Sequence, residues 1–185
     1  RKLDADPSDA FAPFVSILIP VYNEADVIGN SIHAACTIDY PNYEVVIVND
    51  GSSDGTSEVI NGFVGAGMVR VVNKATNEGK ALAINDALPC LNGEIVLIID
   101  ADAELEPSAL RYMVTHFRSG RVAAVAGNPR VKNVETFLAR LQLIEFTSIV
   151  SLLRRAQRVW GRVITVSGVV AAFRKSALID VGMFS

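Results

Sequence analysis

The sequence predicts an α/β fold in which helices flank a mostly parallel sheet. Short apolar runs with the composition of buried strands alternate with segments of helical periodicity. Stretches rich in Asn, Asp, Gly and Ser lie between them and predict turns. Strands that alternate with helices pair in parallel and are covered on both faces. These observations indicate the fold class before any single motif is considered.

The predicted strands are short, apolar and rich in Val and Ile. We expect Pro20 to end the first strand, because proline has no backbone N–H to donate to a neighbouring strand. The predicted strands span residues 14–19, 43–48, 68–72, 94–99 and 122–126, with strand-like sequence again over 163–173.

The predicted helices occupy the intervals between these strands. The first has Val27, Ile28 and Ile32 at helical spacing. The last has Pro107 in its first turn, a position where proline is tolerated. The predicted helices span residues 24–36, 56–63, 80–88 and 107–117.

Residues 134–159 predict a longer helix of a different kind. Apolar residues recur along one face, while Arg140, Arg154, Arg155 and Arg158 supply positive charge. Such an amphipathic helix either packs on the sheet or lies against a membrane interface, and the pattern is compatible with both.

Composition limits the class of protein. Half of the 185 residues are hydrophobic, which predicts one folded domain with a substantial core. A net charge of −3 and the lack of a basic stripe argue against nucleic-acid binding. Residues 1–13 are polar and predict a linker, and residues 14–185 predict the domain. The chain starts with Arg1 and stops in mid-pattern at Ser185, so we expect a C-terminally incomplete domain from a longer protein.

Asp100 and Asp102 follow the apolar run 95–99 and are separated by one residue. Residues two apart in a strand point to the same face, so the two carboxylates are predicted to point together. Open α/β sheets bind their ligands at the carboxyl ends of strands, which is where this pair lies. A divalent cation such as Mg²⁺ or Mn²⁺ would relieve the repulsion between two adjacent carboxylates. The alternative is that one aspartate caps the helix near Pro107 and the other is solvated.

Three further polar motifs lie at predicted strand ends. They are PVYNE at residues 20–24, NDGSSDG at 49–55 and NEGK at 77–80. Parallel strands bring such loops to one edge of the sheet, so the motifs predict a single pocket. Asp50 could accept a charge-assisted hydrogen bond from a base N–H. Lys80 could face a phosphate or a base carbonyl, although a capping or solvated role suits it equally.

Two common nucleotide-binding motifs are missing from the sequence. No GxxxxGK[ST] loop occurs, which argues against phosphoryl transfer from ATP. No GxGxxG motif follows the first predicted strand, which argues against a dinucleotide-binding domain.

The motifs together resemble those of processive, inverting family 2 glycosyltransferases, which have the GT-A fold. The matching segments include IPVYNE (19–24), VNDGSSDGT (48–56), NEGKALAIN (77–85) and DADAEL (100–105). Within that family, LARLQLIEF (138–146) and the segment from residue 161 to 184 most resemble bacterial poly-β-1,6-N-acetylglucosamine synthases. Hyaluronan and chitin-oligosaccharide synthases are similar, and cellulose synthases less so. The resemblance covers over nine-tenths of the chain.

The resemblance implies a role for each matching residue. Asp50 would bind the uracil of a UDP-sugar, with UDP-N-acetylglucosamine the expected donor. The residues expected to bind the nucleotide sugar are Pro20, Tyr22, Glu24, Asp50, Lys80 and Asp100. Asp102, together with Asp100, would coordinate Mg²⁺ or Mn²⁺ at the diphosphate. The acceptor region would comprise Ser167, Gly168 and Arg174.

The resemblance also implies what this chain lacks. In such enzymes a general base lies in a Thr-Glu-Asp motif, and a Gln-x-x-Arg-Trp motif grips the growing polysaccharide acceptor. Neither motif occurs in the sequence, and the base is expected beyond Ser185. We therefore predict UDP-sugar binding with little or no transfer by this segment alone. The parent protein would be a membrane protein that works at the cytoplasmic face of the cell membrane, anchored by flanking spans.

Two alternatives remain open on the sequence. A non-processive family 2 transferase could use another nucleotide sugar with the same fold. A non-catalytic module could bind a nucleotide sugar without turnover, although the intact Asp50, Asp100 and Asp102 argue against this for the parent protein.

Overall fold

In the computed structural model, which describes residues 11–65, 69–129 and 168–184, six strands form one sheet. The order across the sheet is β3-β2-β1-β4-β6-β5. β1 to β4 are mutually parallel, whereas β6 runs antiparallel to both β4 and β5. The strands are β1 (Val15–Val21), β2 (Tyr43–Asn49), β3 (Val69–Asn73), β4 (Ile95–Ile99), β5 (Ala124–Ala126) and β6 (Val170–Arg174).

Helices cover both faces of the sheet, as the sequence predicts. The helices of the described residues are α1 (Ile28–Cys36), α2 (Thr56–Val64), α3 (Lys80–Ala87), α4 (Ala109–Thr115) and α5 (Lys175–Asp180). Alternate residues of β1 enter different hydrophobic clusters, because successive side chains of a strand point to opposite faces. Ile17 and Ile19 pack with α1, α2 and α4, whereas Leu18 packs with α3 and α5. The central strands are therefore buried on both faces, and the α/β fold class is confirmed.

The first strand continues through Pro20, contrary to the prediction that Pro20 ends it. The N–H of Val15 and the carbonyl of Val21 both bond toward the β2 side. Since bonding direction alternates along a strand, the nitrogen of Pro20 faces the β4 side. Pairing with β4 stops at Leu18, so the missing N–H of Pro20 leaves no bond unmade.

Other differences from the predictions concern the residues at which helices begin and end. Residues 25–27 form a turn rather than the start of α1, and the Glu24 carbonyl accepts hydrogen bonds from the N–H groups of Val27 and Ile28. The helix predicted over 107–117 is shorter, and its end is a 3₁₀ turn, His116–Arg118. Among the described strands β6 alone runs in the opposite direction, so the sheet is mixed but mostly parallel, as the sequence predicts.

Several predicted segments lie outside the described residues: the helix over 134–159, Ser167, and residues 1–10 of the linker. The final residues of that linker, 11–13, contact the domain. Tyr40 donates its hydroxyl to the Pro13 carbonyl, with an O···O distance of 2.7 Å. Of the helices in the described ranges, none has the length and apolar character needed to cross a membrane.

A buried carboxylate, Glu44, joins three elements at the amino end of the sheet. Its oxygens accept hydrogen bonds from the Ser16 hydroxyl at 2.6 Å and the Asn92 N–H at 2.7 Å. The guanidinium of Arg70 on the edge strand is 2.5 Å from Glu44 Oε2. Burial raises the pKa of Glu44, but these hydrogen bonds and the Arg70 charge outweigh it and hold the pKa below its usual value.

Glu44→Gln is expected to destabilise the chain by about 1–3 kcal/mol at pH 7, because an amide nitrogen cannot accept these bonds. The folded-state pKa of Glu44 lies below its unfolded value of about 4.3. Its contribution is therefore present above pH ~4.3 and is lost as the pH falls toward the folded-state pKa. Urea unfolding from pH 7 to 3 should show the difference between the Glu44→Gln variant and the unsubstituted chain shrinking; a constant difference would contradict this account.

Candidate functional site

The four loops that carry the polar motifs lie at one edge of the sheet. Each follows the carboxyl end of one of the parallel strands β1 to β4, as the sequence predicts. Hydrogen bonds join the first three loops to one another, and Lys80, the first residue of α3, binds Asp100 of the fourth, so the loops form a connected surface. The loops comprise residues 22–27, 50–55, 74–79 and 100–106.

The loop after β1 is bound to the loop after β2. Asn23 adopts a positive φ of 53°, which asparagine tolerates better than most residues. Its side-chain oxygen accepts the Ser53 N–H at 2.8 Å, and its own N–H donates to the Ser52 hydroxyl at 3.0 Å. The Glu24 N–H donates to the Thr56 hydroxyl at 2.9 Å. These hydrogen bonds of Asn23 and of the Glu24 N–H fix the loop without using the side chains of Tyr22 and Glu24, which are exposed.

Asp50 connects the loop after β2 to the loop after β3. Its carboxylate is almost fully buried and accepts the Gly79 N–H at 2.8 Å and the Glu78 N–H at 3.2 Å. Its own N–H donates to the Val21 carbonyl at 2.9 Å, which holds it at the end of β1. Asp50 is thus held through its backbone at the end of β1 and through its side chain at residues 78 and 79.

Gly51 allows the close contact between these two loops. Its φ is +71°, a left-handed conformation that glycine adopts without steric cost. A Cβ atom there would lie 2.7 Å from the Thr76 carbonyl carbon and 2.8 Å from the Asn77 nitrogen. The backbone of residues 76–77 therefore packs directly on Gly51.

Lys80 and Asp100 connect the loop after β3 to the loop after β4. The Lys80 ammonium binds Asp100 Oδ1 and lies 3.2 Å from the Gly168 carbonyl oxygen. The Asp100 N–H donates to the Val169 carbonyl at 3.0 Å. Gly168, predicted for the acceptor region, is therefore at the same edge as Lys80 and Asp100.

Asp100 and Asp102 do not share a strand face, because β4 ends at Ile99. Asp100 is the first residue of a turn, and its backbone carbonyl accepts the Ala103 N–H at 3.0 Å. The Asp102 carboxylate is exposed and has no hydrogen bond or ion pair with another described residue. Neither aspartate caps α4, whose N-cap residue is Ser108.

The carboxylates of Asp100 and Asp102 are of the chemical type that binds a hard cation. Two carboxylates alone do not complete the coordination of such an ion. Asp102 offers exposed oxygen atoms, the type that Mg²⁺ and Mn²⁺ prefer. One oxygen of Asp100 is already bound to Lys80. Within the described residues, no three His, Cys, Asp or Glu side chains are grouped to hold a metal ion. Other ligands, such as diphosphate oxygens or water, would have to complete the coordination.

Arg174 does not lie at this edge. β6 is antiparallel to β4, so Arg174 pairs with Ile95 at the opposite end of the sheet, whereas Val170 pairs with Ile99. Its guanidinium donates to the Phe117 carbonyl at 2.8 Å and lies over the Phe117 ring. The structure therefore does not bring Arg174 together with Gly168, and a role for Arg174 in the acceptor region stays a prediction.

Two residues that contact the loops of the site were not predicted from the sequence. Ser31, buried in α1, donates its hydroxyl to the Ala101 carbonyl at 2.6 Å and supports the Asp100–Ala103 turn. Lys74 follows β3 and places its ammonium among carboxylates. Glu78 follows Lys74 by four residues, and that spacing could have suggested the contact of Lys74 with carboxylates. Nothing in the local sequence marks Ser31.

A pocket of about 300 Å³ adjoins the loops, between α2 and β3. Its walls are mainly polar, and none of Asp50, Lys80, Asp100 or Asp102 contributes to them. The pocket therefore borders the predicted site without being formed by it. The lining residues are Asn49, Gly51, Ser52, Ser57, Ile60, Asn61, Val71, Asn73, Lys74 and Ala75.

Sequence comparison relates the chain to glycosyltransferases. The family described as glycosyl transferase family 2 matches residues 16–182. A poly-β-1,6-N-acetyl-D-glucosamine synthase from Staphylococcus epidermidis is 37% identical over 169 residues, covering 91% of this chain and 41% of the relative. A synthase of the same name from Staphylococcus aureus MSSA476 is 36% identical with the same coverage. The chain thus spans about two-fifths of the length of these curated relatives.

Comparison with solved structures also relates the chain to glycosyltransferases. A mannosyltransferase from Pyrobaculum calidifontis, solved with GDP-Man and Mn²⁺, has a TM-score of 0.83 and 29% identity, covering 100% of this chain and 50% of that one. Residues 1–349 of S. aureus TarS, solved with UDP-GlcNAc, have a TM-score of 0.65 and 21% identity, covering 92% and 48%. The TarS likeness concerns the fold alone. The fold is GT-A, as the sequence resemblance implies.

The family match begins in β1, ends after α5 and includes all four loops at the carboxyl edge of the sheet. It therefore covers both the core that supports these loops and the residues that connect them. On this basis, the chain belongs to glycosyl transferase family 2.

Proposed function

We propose that this chain binds the donor of an inverting transferase that builds a β-linked polysaccharide, with UDP-N-acetylglucosamine as the expected donor. The observation that carries the proposal is the connection of Asp50, Lys80 and Asp100 at one sheet edge through loops from four parallel strands. The identity to poly-β-1,6-N-acetyl-D-glucosamine synthases supports the choice of sugar.

Each loop has a distinct task in this proposal. Asp50 presents a fixed carboxylate to the nucleobase, while the exposed Tyr22 and Glu24, above the buried Pro20, border the nucleotide. Lys80 offers positive charge close to the diphosphate, and its bond to Asp100 keeps the ammonium at this edge. Gly168 and the neighbouring Ser167 would face the sugar or the acceptor.

Asp102, with the unpaired oxygen of Asp100, would hold Mg²⁺ or Mn²⁺. The structurally similar mannosyltransferase solved with Mn²⁺ supports the use of a divalent metal. When bound, the ion supplies Lewis acidity that neutralises charge on the departing diphosphate. Lys80 adds charge stabilisation that this chain provides itself.

Transfer also needs a general base to take the proton of the acceptor hydroxyl. The sequence resemblance assigns that role to a Thr-Glu-Asp motif, which is not found among the 185 residues. We therefore expect this chain alone to bind a UDP-sugar without sustained polymer synthesis. The parent protein would act at the cytoplasmic face of the cell membrane, as suggested by its relation to polysaccharide synthases.

A second candidate function is non-processive transfer from another nucleotide sugar. The mannosyltransferase with GDP-Man favours it, because that protein has the higher structural similarity of the two solved neighbours described above. Calorimetry with UDP, UDP-GlcNAc, UDP-glucose and GDP-mannose, each with and without Mn²⁺, separates the candidates. Tightest binding of UDP-GlcNAc supports the first proposal, and tightest binding of GDP-mannose supports the second.

Asp102→Ala is expected to remove the part of UDP affinity that depends on Mn²⁺, because the exposed carboxylate of Asp102 is the group most available to the ion. We expect binding in Mn²⁺ to weaken about tenfold, which corresponds to about 1.4 kcal/mol, and binding without metal to be unchanged. Glu106→Ala removes an exposed acid from the same loop and is the matched control. Equal effects of the two substitutions would contradict the metal role of Asp102.

A further inference from the structure

Lys74 is the first residue after β3, and its side chain is only 9% exposed. Its ammonium lies 2.6 Å from Glu78 Oε2, 2.7 Å from Asp86 Oδ2 and 3.5 Å from Asp50 Oδ1. The Lys74 N–H also donates to the Asn49 carbonyl at 2.9 Å, which fixes the start of the loop beside β2. One buried cation therefore faces carboxylates from the 50–55 loop, the 74–79 loop and α3.

Burial of an ammonium is costly unless carboxylates compensate it. Glu78 and Asp86 are about half exposed and keep contact with water, whereas the Asp50 side chain is only 4% exposed. Asp50 is therefore the least hydrated of the three carboxylates that face Lys74. The carboxylates of Asp86 and Glu78 raise the pKa of Lys74, so the side chain stays cationic.

The contacts form a closed ring around the Asp50 carboxylate. Lys74 binds the Glu78 side chain, and the Glu78 N–H binds Asp50, which Lys74 also approaches directly. Removal of the ammonium would therefore release the Glu78 side chain and leave Asp50 without its nearby cation. Both changes would let the Asp50 carboxylate and residues 77–79 move.

We propose that Lys74 is a positioning residue for nucleobase selection, which holds Asp50 so that its carboxylate accepts a hydrogen bond from a base N–H. This role rests on the proposed donor site. Uracil presents such an N–H at its N3 position, whereas cytosine has an unprotonated nitrogen there. A carboxylate held in place favours UDP over CDP, and a mobile one discriminates less well.

Calorimetry with UDP and CDP on Lys74→Met and on the unsubstituted chain tests this role. We expect the Lys74→Met variant to bind UDP about tenfold more weakly, the loss of one charge-assisted hydrogen bond, and to bind CDP with little change. Arg70→Met removes a cation from β3, the strand that precedes Lys74, at the opposite edge of the sheet, where Arg70 pairs with Glu44, and should leave the UDP-to-CDP ratio unchanged. Lys74→Gln is measured in parallel, because its side-chain amide still offers the surrounding carboxylates an N–H donor, whereas methionine offers none.

A double variant separates positioning from general stability. If Lys74 acts through Asp50, adding Lys74→Met to Asp50→Asn should cost little further UDP affinity, because the effects of coupled residues do not add. A lowered melting temperature with an unchanged UDP-to-CDP ratio in both Lys74 variants would overturn the proposal and leave Lys74 a purely structural residue. Failure of the unsubstituted chain to bind UDP would instead overturn the proposed function and this role with it.

Discussion

Asp50→Asn is expected to weaken UDP binding about 100-fold, or about 2.7 kcal/mol. The carboxylate accepts backbone N–H groups of Glu78 and Gly79 through both of its oxygens. An asparagine side chain keeps one acceptor oxygen and turns an NH₂ group toward either a backbone N–H or the Lys74 ammonium. Because the site is almost fully buried, the donor left without a partner cannot turn to water instead.

Two effects therefore combine in this variant. The nucleobase loses its proposed acceptor, and residues 77–80 lose the anchor that holds them against β2. Calorimetry with UDP and Mn²⁺ measures the combined effect on UDP affinity. Thermal unfolding measures separately the loss of stability that comes from the lost anchor of residues 77–80.

Asp39→Asn is the matched control for this prediction. Asp39 is an exposed aspartate paired with Arg111, away from the four loops, and the Arg111 guanidinium lowers its pKa. Exposed ion pairs contribute little, so this variant should bind UDP like the unsubstituted chain. Similar UDP affinities of the Asp50→Asn and Asp39→Asn variants would show that Asp50 does not contact the base.

The sequence predicted the common location of the polar loops because that inference needs only parallel strands. Apolar runs such as 43–48 and 95–99 can be buried on both faces only in a covered sheet, and covered sheets in which strands alternate with helices are mostly parallel. Once the strands are parallel, Asp50 and Asp100 must lie at the same edge. The pattern of hydrophobicity therefore located the candidate site without any contact being known.

Contacts that depend on exact chain ends or on partners distant in sequence could not be predicted. Whether Asp100 and Asp102 share a face depends on where β4 ends, and a strand end is set by pairing with β1 and β6. The separation of Arg174 from Gly168 could not be predicted, because the direction of β6 has no signature in residues 170–174. The role of Ser31 depends on a contact with a residue 70 positions away.

Gly51→Ala is expected to reduce the free energy of unfolding by about 2–5 kcal/mol. About 1–2 kcal/mol of this comes from forcing a residue with a Cβ into a left-handed conformation. About 1–3 kcal/mol more comes from the new methyl group, which would overlap the backbone at Thr76 and Asn77. That backbone cannot retreat freely, since Asp50 holds the next two residues by their N–H groups.

Gly182→Ala separates the two costs. Gly182 has a φ of +85°, and apart from its chain neighbours no atom of the described residues lies within 4 Å of a Cβ built there, so the substitution adds conformational strain without overlap. Urea unfolding should therefore show a loss of about 1–2 kcal/mol for Gly182→Ala and a larger one for Gly51→Ala. UDP binding should weaken only for Gly51→Ala, because its methyl group displaces the loop that contains Glu78 and Gly79. Equal losses of stability with intact UDP binding in both variants would mean that the loop after β3 adjusts to the methyl group, and that its contact with Gly51 does not set the geometry of Asp50.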